Sequence, residues 1–336
     1  MISRKFTIWA CGLLFVFGSC AEDMVKPIEN DKDAPGTVQD VKTESLPGAV
    51  KFTYTLPSDP DLLYVLAKYT NKTGKVMEFR SSFYTNSVTV EGFGDTDTYK
   101  VELYTVDRSE NRSQPQIVEV VPLTPPILSC YESLSMVSDF GGMTFEMDNK
   151  FKSDLAIYVC TPDELGDMVL AETFYSAREE IVYSVRGYDA VPRRFGIFLQ
   201  DKYGNETDTL FTELTPIYER ELDKTKFREM YLQNDSRVDS YDGKMEYVWN
   251  GRISKDGDSG GVGLHTGTGT KDGPAVFTFD LGVLAKLSRF ALWAIQDEKH
   301  FYNDMSPRRY EVWGCATEPN PDGSWDQWVK LLDMEN

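Results

Sequence analysis

Few side chains in this 336-residue sequence are equipped for chemistry, and the most suggestive group falls near its end. The stretch QDEKHFYNDMSPRR (296–309) places His300, Tyr302, Asn303, Asp304 and Arg309 between two apolar runs, and Trp325 follows in DGSW. Aromatic faces beside carboxylate, amide, imidazole and guanidinium groups suit a ligand that alternates apolar C–H faces with hydroxyls, as a sugar ring does. Such groups gather on loops held by a rigid scaffold. A solvated loop whose aromatics cover the core accounts for the same residues, and Trp325 also reads as the cap of a turn. Trp249 and Trp293 read as core, and Trp328 as packing inward.

Other chemistry is excluded more firmly. The chain has two histidines, His265 and His300, so a His-rich zinc centre is ruled out, and a nucleophile–His site would have to use one of them. Its cysteines, Cys11, Cys20, Cys130, Cys160 and Cys315, include no C-x-x-C pair. Cys130 and Cys160 read either as a disulfide or as two buried free thiols. GDSGGVGLHTGTGT lacks the G-K-[ST] ending of a phosphate loop, and no helical pattern follows it. A glycosidase needs two carboxylates set across a cleft, and nothing ties any two of the 54 acidic residues together. The chain therefore reads as non-catalytic, with no cofactor and no metal site.

The N-terminus carries a different kind of chemistry. Arg4 and Lys5 precede an apolar stretch, Phe6 to Phe17, too short to span a bilayer, which is the pattern of a secretory signal over residues 1–19. Phe17-Gly18-Ser19-Cys20 resembles a bacterial lipobox, in which the cysteine thiol receives a diacylglycerol and becomes the new N-terminus. Ala21-Glu22-Asp23 resembles the acidic tag that sends Bacteroidetes lipoproteins to the outer face of the outer membrane. An ordinary signal peptide with an incidental cysteine is the alternative, set against a charged start, an apolar run and small residues that all fall in register with Cys20. Loss of residues 1–19, which hold two basic and no acidic residues, takes the net charge from −19 to −21. Such a surface repels phosphate backbones, which argues against nucleic acid as a partner.

Residues 20–35 are polar, acidic and without apolar periodicity, as a tether would be. From residue 36 the grammar is β. Val50, Phe52, Tyr54 and Leu56 alternate with Lys51, Thr53 and Thr55, and apolar runs recur at 62–69, 87–93, 99–106 and 116–122, each bounded by turn residues. The layout then repeats. Phe145 lies 93 residues after Phe52, Phe174-Tyr175 lies 91 after Phe83-Tyr84, and Asp201 and Asn205 lie 94 after Asp107 and Asn111. TVDRSENRS and LQDKYGNET resemble the last hairpin of fibronectin type III-like domains, with Glu110 standing where the second copy has Gly204. The expected modules are 36–122 and 123–216, with PLTPP (122–126) stiffening the joint.

Residues 217–336 follow another pattern. Trp249-Asn250-Gly251, Phe279-Asp280-Leu281-Gly282, Arg309-Tyr310-Glu311-Val312 and Asp322-Gly323-Ser324-Trp325 occur in the order of the discoidin (factor 5/8 type C) family, a galactose-binding-like β jelly roll. The expected fold class is all-β: two Ig/fibronectin III-like sandwiches in tandem, then a discoidin-like jelly roll that is incomplete at its C-terminus. Asn250 replaces the family's aspartate, so a structural calcium using that carboxylate would lose a charged ligand. The whole chain resembles Bacteroidetes outer-membrane surface lipoproteins associated with starch-utilisation-type glycan machinery. That resemblance implies a lipid-anchored protein facing the cell exterior, an oligo- or polysaccharide ligand, and a transporter complex as neighbour. The alternatives are an adhesin or assembly subunit that binds proteins through its fibronectin-like modules, or an accessory module of a glycan hydrolase complex.

Overall fold

The structure is a computed structural model that describes residues 31–238, 240–253, 263–266, 274–294 and 307–335. The chain divides into two compact units: Met1–Val137 with Met143–Val185 and Pro192–Leu214, and Ser138–Gly142 with Arg186–Val191 and Thr215–Asn336. Among the described residues no helix is long and apolar enough to cross a membrane.

The first unit holds one sandwich and most of a second built alike, of which residues 138–142 and 186–191 fall in the second unit. In the first, β1 (Gln39–Leu46), β2 (Ala49–Thr55), β3 (Leu62–Thr70), β4 (Val76–Ser82), β5 (Ser87–Glu91), β6 (Tyr99–Asp107) and β7 (Gln116–Val120) form sheets ordered β1-β2-β5 and β4-β3-β6-β7. The fourth strand pairs with the third rather than the fifth, the arrangement of a fibronectin type III-like sandwich. Alternation does the sorting: Val50, Phe52 and Tyr54 of β2 are buried while Lys51, Thr53 and Thr55 face solvent. They meet Val65, Ala67 and Tyr69 from β3 and Val101 and Leu103 from β6 in one apolar cluster. Leu56 lies beyond the end of β2 and is partly buried against that cluster.

Then come α1 (Pro126–Ser133), β8 (Ser135–Asp139), β9 (Gly142–Asp148), β10 (Leu155–Pro162), β11 (Met168–Ser176), β12 (Glu180–Arg186), β13 (Arg193–Asp201) and β14 (Leu210–Leu214). The seven strands form sheets β12-β9-β8 and β11-β10-β13-β14, the first sandwich's order repeated strand for strand. Phe52 and Phe145 occupy equivalent strands, and both are fully buried. The helix was not visible in the sequence. Pro126 sits at its first turn, where a missing N–H costs nothing, and Ile127 and Cys130, three apart, turn one face inward. Cys130 and Cys160 are both free thiols, and burial pushes the Cys130 thiol up to about 11.

The duplicated hairpins match atom for atom. Asp107 Oδ1 accepts from the backbone amides of Ser109 and Asn111, and its Oδ2 from Asn111 Nδ2. Asp201 Oδ1 accepts from the amides of Tyr203 and Asn205, and its Oδ2 from Asn205 Nδ2. Gly204 adopts φ 85° at ease, whereas Glu110 is held at φ 64°, a left-handed conformation that costs a residue with a Cβ about 1 kcal/mol. Glu110→Gly is therefore expected to stabilise the first sandwich by up to about 1 kcal/mol in urea unfolding. The gain is reduced by loss of the exposed Tyr64 Oη to Glu110 Oε2 bond of 3.0 Å.

The two asparagines then reach outward to different neighbours. Asn111 Nδ2 donates to Asp31 Oδ1, which fastens the segment from Asp31 to the first sandwich. Asn205 Nδ2 donates to Gly92 O at 3.2 Å, and the Tyr203 hydroxyl bonds the Glu91 carboxylate, so the second hairpin docks on the first sandwich. Glycine is needed there: a Cβ on Gly92, at φ 86°, would come within 2.8 Å of the Tyr203 ring, and one on Gly94 within 2.6 Å of Asn205 Oδ1.

In the second unit, β15 (Arg228–Met230) pairs with β16 (Thr278–Asp280), and β17 (Arg309–Gly314) with β18 (Val329–Glu335). The recurring Asx-Gly pairs of the sequence are turns. Asn250 Oδ1 accepts from Arg252 N, Asp280 Oδ1 from Gly282 N, and Asp322 Oδ1 from Ser324 N, each at 2.8 to 2.9 Å. Gly251, Gly282 and Gly323 all have positive φ. A Cβ on Gly282 would lie 2.4 Å from the carbonyl oxygen of Lys226, so no other residue fits. Trp249, read as core, is partly buried and packs against Phe279 and Phe227. Trp293 does not: it is 61% exposed. The regular strand ends at Asp280, and residues 281–294 have no ladder partner among the described residues, so the alternation that would turn Trp293 inward is not enforced.

Also in this unit, Glu219 is a hub. Its carboxylate accepts from Ser288 Oγ at 2.6 Å and from Arg289 Nε and Nη2 at 3.0 and 2.8 Å, with Arg186 at 3.6 Å. Arg186 donates onward to Phe140 O and Asp139 Oδ2. Partial burial pushes the Glu219 carboxyl up, but Ser288, Arg289 and Arg186 outweigh it and hold the group below its ordinary 4.5. A depressed carboxyl contributes stability that is fully present above about pH 4.5 and is lost as pH falls through the lower folded value. Glu219→Gln is expected to cost about 1–2 kcal/mol at pH 7 and to flatten the acid side of the melting-temperature profile.

Candidate functional site

The β17–β18 hairpin carries the site that the described residues support best. Arg309, Glu311 and Trp313 alternate along β17 and so share one face. Asp333 and Lys330 stand opposite Glu311 and Trp313 on β18. Arg309 donates Nε and Nη2 to the two oxygens of Asp333 at 3.2 and 3.0 Å. Lys330 Nζ lies 2.7 Å from Glu311 and 3.3 Å from Asp333, and 5.2 Å from the centre of the Trp313 ring. Arg309 holds the Asp333 carboxyl below the ordinary carboxylate range, and Lys330 does the same for Glu311.

Next to this charged row is a cluster of tryptophans. The Trp325 ring meets Trp313 edge-on at 4.9 Å, and Trp328 at 6.1 Å. Trp325 is 46% exposed, presenting part of an indole to solvent beside donors and acceptors fixed by their ion pairs. A bound ring with apolar C–H faces could stack on the indole and direct hydroxyls to Glu311, Lys330 or Asp333.

Of the ligand residues expected from sequence, the structure brings Arg309 and Trp325 to one region, linked through Glu311, Lys330 and Trp313. Arg309 acts there through Asp333, because two of its donors are already engaged. Cys20, His300, Tyr302, Asn303 and Asp304 lie outside the described residues. Trp313, Lys330 and Asp333 were missed, although the alternation in RYEVW already put Trp313 on the face of Arg309. Among the described residues three carboxylates, Asp31, Asp61 and Asp107, gather closely enough to share an ion, and they lie in the first sandwich, far in sequence from Asn250. Oxygens of Asp31 and Asp107 already accept hydrogen bonds from Asn111.

The chain is thus an all-β protein with two fibronectin III-like sandwiches in tandem, followed by a β segment that bears an aromatic and charged face. Residues 35–122, 123–225 and 249–336 match three family models, each described as a domain of unknown function: DUF4959, DUF5126 and DUF5000. Over 35% of its length the chain is 99% identical to a solved structure named SusE-like protein BT2857, with a TM-score of 0.34. That match spans 66%, just under two thirds, of the SusE-like chain. A two-domain fibronectin type III segment of chicken tenascin matches at 12% identity over 53% of this chain and 99% of its own, with a TM-score of 0.26. The chicken interferon gamma receptor alpha chain matches at 10% identity over 55% of this chain and 100% of its own, with a TM-score of 0.23. The sandwich assignment rests on strand order rather than on these two. No curated protein matches the chain.

Proposed function

We propose that this protein is a non-catalytic, lipid-anchored carbohydrate-binding protein of a glycan-utilisation system, presented on the outer face of the outer membrane. Cys20 is the acylated residue, and residues 217–336 form a discoidin-like domain that holds an oligo- or polysaccharide. The observation that carries this reading is the half-exposed Trp325 beside Trp313, flanked by the Lys330, Glu311, Asp333 and Arg309 network. The near-identity of part of the chain to a SusE-like protein supports the setting, with a transporter complex as neighbour. No cofactor is invoked. Tethering raises the effective concentration of ligand, so weak contacts at each site suffice.

In a glycan array with the full chain, Trp325→Ala is expected to weaken binding roughly tenfold, the worth of one aromatic stacking contact. Arg309→Ala should act less, through a loosened Asp333. Unchanged binding by both variants would remove the face from consideration. Radiolabelled palmitate should enter the protein and fail to enter Cys20→Ala.

One observation favours a protein-binding reading instead. Strand β11 is a sheet edge on which Met168, Val169, Leu170 and Tyr175 are all exposed, which suits an assembly contact.

A further inference from the structure

The second sandwich carries a shallow, half-open cavity of about 450 Å³ between α1 and the β9–β10 loop, room enough for a single ring that keeps one side in solvent. Cys130 forms part of its lining, with Ser129 and Glu132 from the helix and Asp148, Lys150 and Phe151 from the strand end and loop. We propose that this cavity is a second carbohydrate-contact site, taking a single neutral pyranose ring that stacks on Phe151 and bonds Asp148, Glu132 and Lys150 through its hydroxyls. The proposal takes its ligand class from the carbohydrate-binding reading, but it concerns a different domain and different residues.

Three observations carry it. First, the cavity is not a by-product of the shared fold: among the described residues, which begin at Asp31, no helix precedes the first strand of the first sandwich, so α1 and the space beside it have no counterpart there. Second, the loop is held rigid from beneath. Asn149 is fully buried; its Oδ1 accepts from Ser153 N and its Nδ2 donates to Ser153 O, both at 2.9 Å. Lys152 takes φ 50° to close the turn, and Phe151 is left 51% exposed on a fixed backbone. Third, the charged groups are uncommitted. Among the described residues, Glu132, Asp148 and Lys150 make no ion pair, although acids and a base line the same space. Two carboxylates and one ammonium leave a net negative lining, which disfavours an anionic ligand. An aromatic face among uncommitted acceptors and donors is what a sugar ring needs.

The test uses the full chain and three probes: methyl β-D-glucopyranoside, methyl β-D-galactopyranoside and methyl α-D-mannopyranoside. Backbone-amide NMR is expected to show Lys150 and Phe151 shifting with at least one of them. Phe151→Ala, at an exposed position that folding tolerates, should weaken that titration roughly tenfold, and Asp148→Asn less. Every tryptophan beyond Trp9 lies after residue 240, so tryptophan fluorescence reports the third domain separately. Quenching by glycan that neither variant changes, with the loop amides unmoved, overturns this site and leaves the third-domain reading intact. Phe151-dependent binding without any tryptophan response does the reverse. Loop amides that move with the cation spermidine but with none of the pyranosides overturn the sugar assignment.

Discussion

Phe145→Ala is expected to destabilise the second sandwich by about 3–5 kcal/mol, the cost of removing a buried aromatic ring and leaving its cavity. Phe145 is fully buried in β9 and packs against Phe174 at 5.6 Å, edge-on, and Tyr183 at 5.9 Å. These partners are themselves stacked at 4.5 Å, so the gap has little freedom to collapse. Tyr175→Ala is the control: the ring next to Phe174 in sequence is 75% exposed and should shift stability by no more than about 0.5 kcal/mol. Urea unfolding checks both through the midpoint. A loss below about 1 kcal/mol for Phe145→Ala would mean that β9 is not the inner strand described above.

The second large effect is expected at Asp201. Alanine there removes three hydrogen bonds and leaves the amides of Tyr203 and Asn205 and the Asn205 side chain without their acceptor, for about 2–3 kcal/mol. The damage should travel further, because Asn205 and Tyr203 are the groups that dock on Gly92 and Glu91 of the first sandwich. Asp201→Ala is therefore expected to raise amide exchange at residues 91–94 as well as in its own hairpin. Asparagine should rescue only part of the loss: its carbonyl can replace Oδ1, but its amide would face the Asn205 Nδ2 donor. Full rescue by Asp201→Asn would contradict the hydrogen-bond assignment.

The strands that were legible in the sequence are those with one wet and one dry face. Val50, Phe52 and Tyr54 announce β2, and the duplication announces β9. Of the first sandwich's four edge strands, β1 and β4 were silent. β1 is QDVKTESL, mostly exposed, with a bulge between Gln39 and Lys42, and β4 turns only Met77 and Phe79 toward the core, an alternation too short to read. The helix α1 was hidden because Pro125-Pro126 reads as a break, while proline at a first turn is also a helix start. In the third segment the glycines were the reliable signal, since positive φ and the close approach of Lys226 to Gly282 leave no alternative. Trp293 was misread because size alone argued for burial. The candidate site was half legible: Trp325 and Arg309 stood out by residue type, whereas Trp313 and the ion-pair row need the register of β17 against β18 to come together.

The most direct test of the account is native electrophoresis of the full chain through gels containing dissolved polysaccharides, with reducing ends assayed in the same mixtures. Retarded migration in at least one glycan, diminished by Trp325→Ala, with no reducing ends released, is the predicted result. Unhindered migration through every glycan tried, or release of reducing ends by the purified protein, would contradict it.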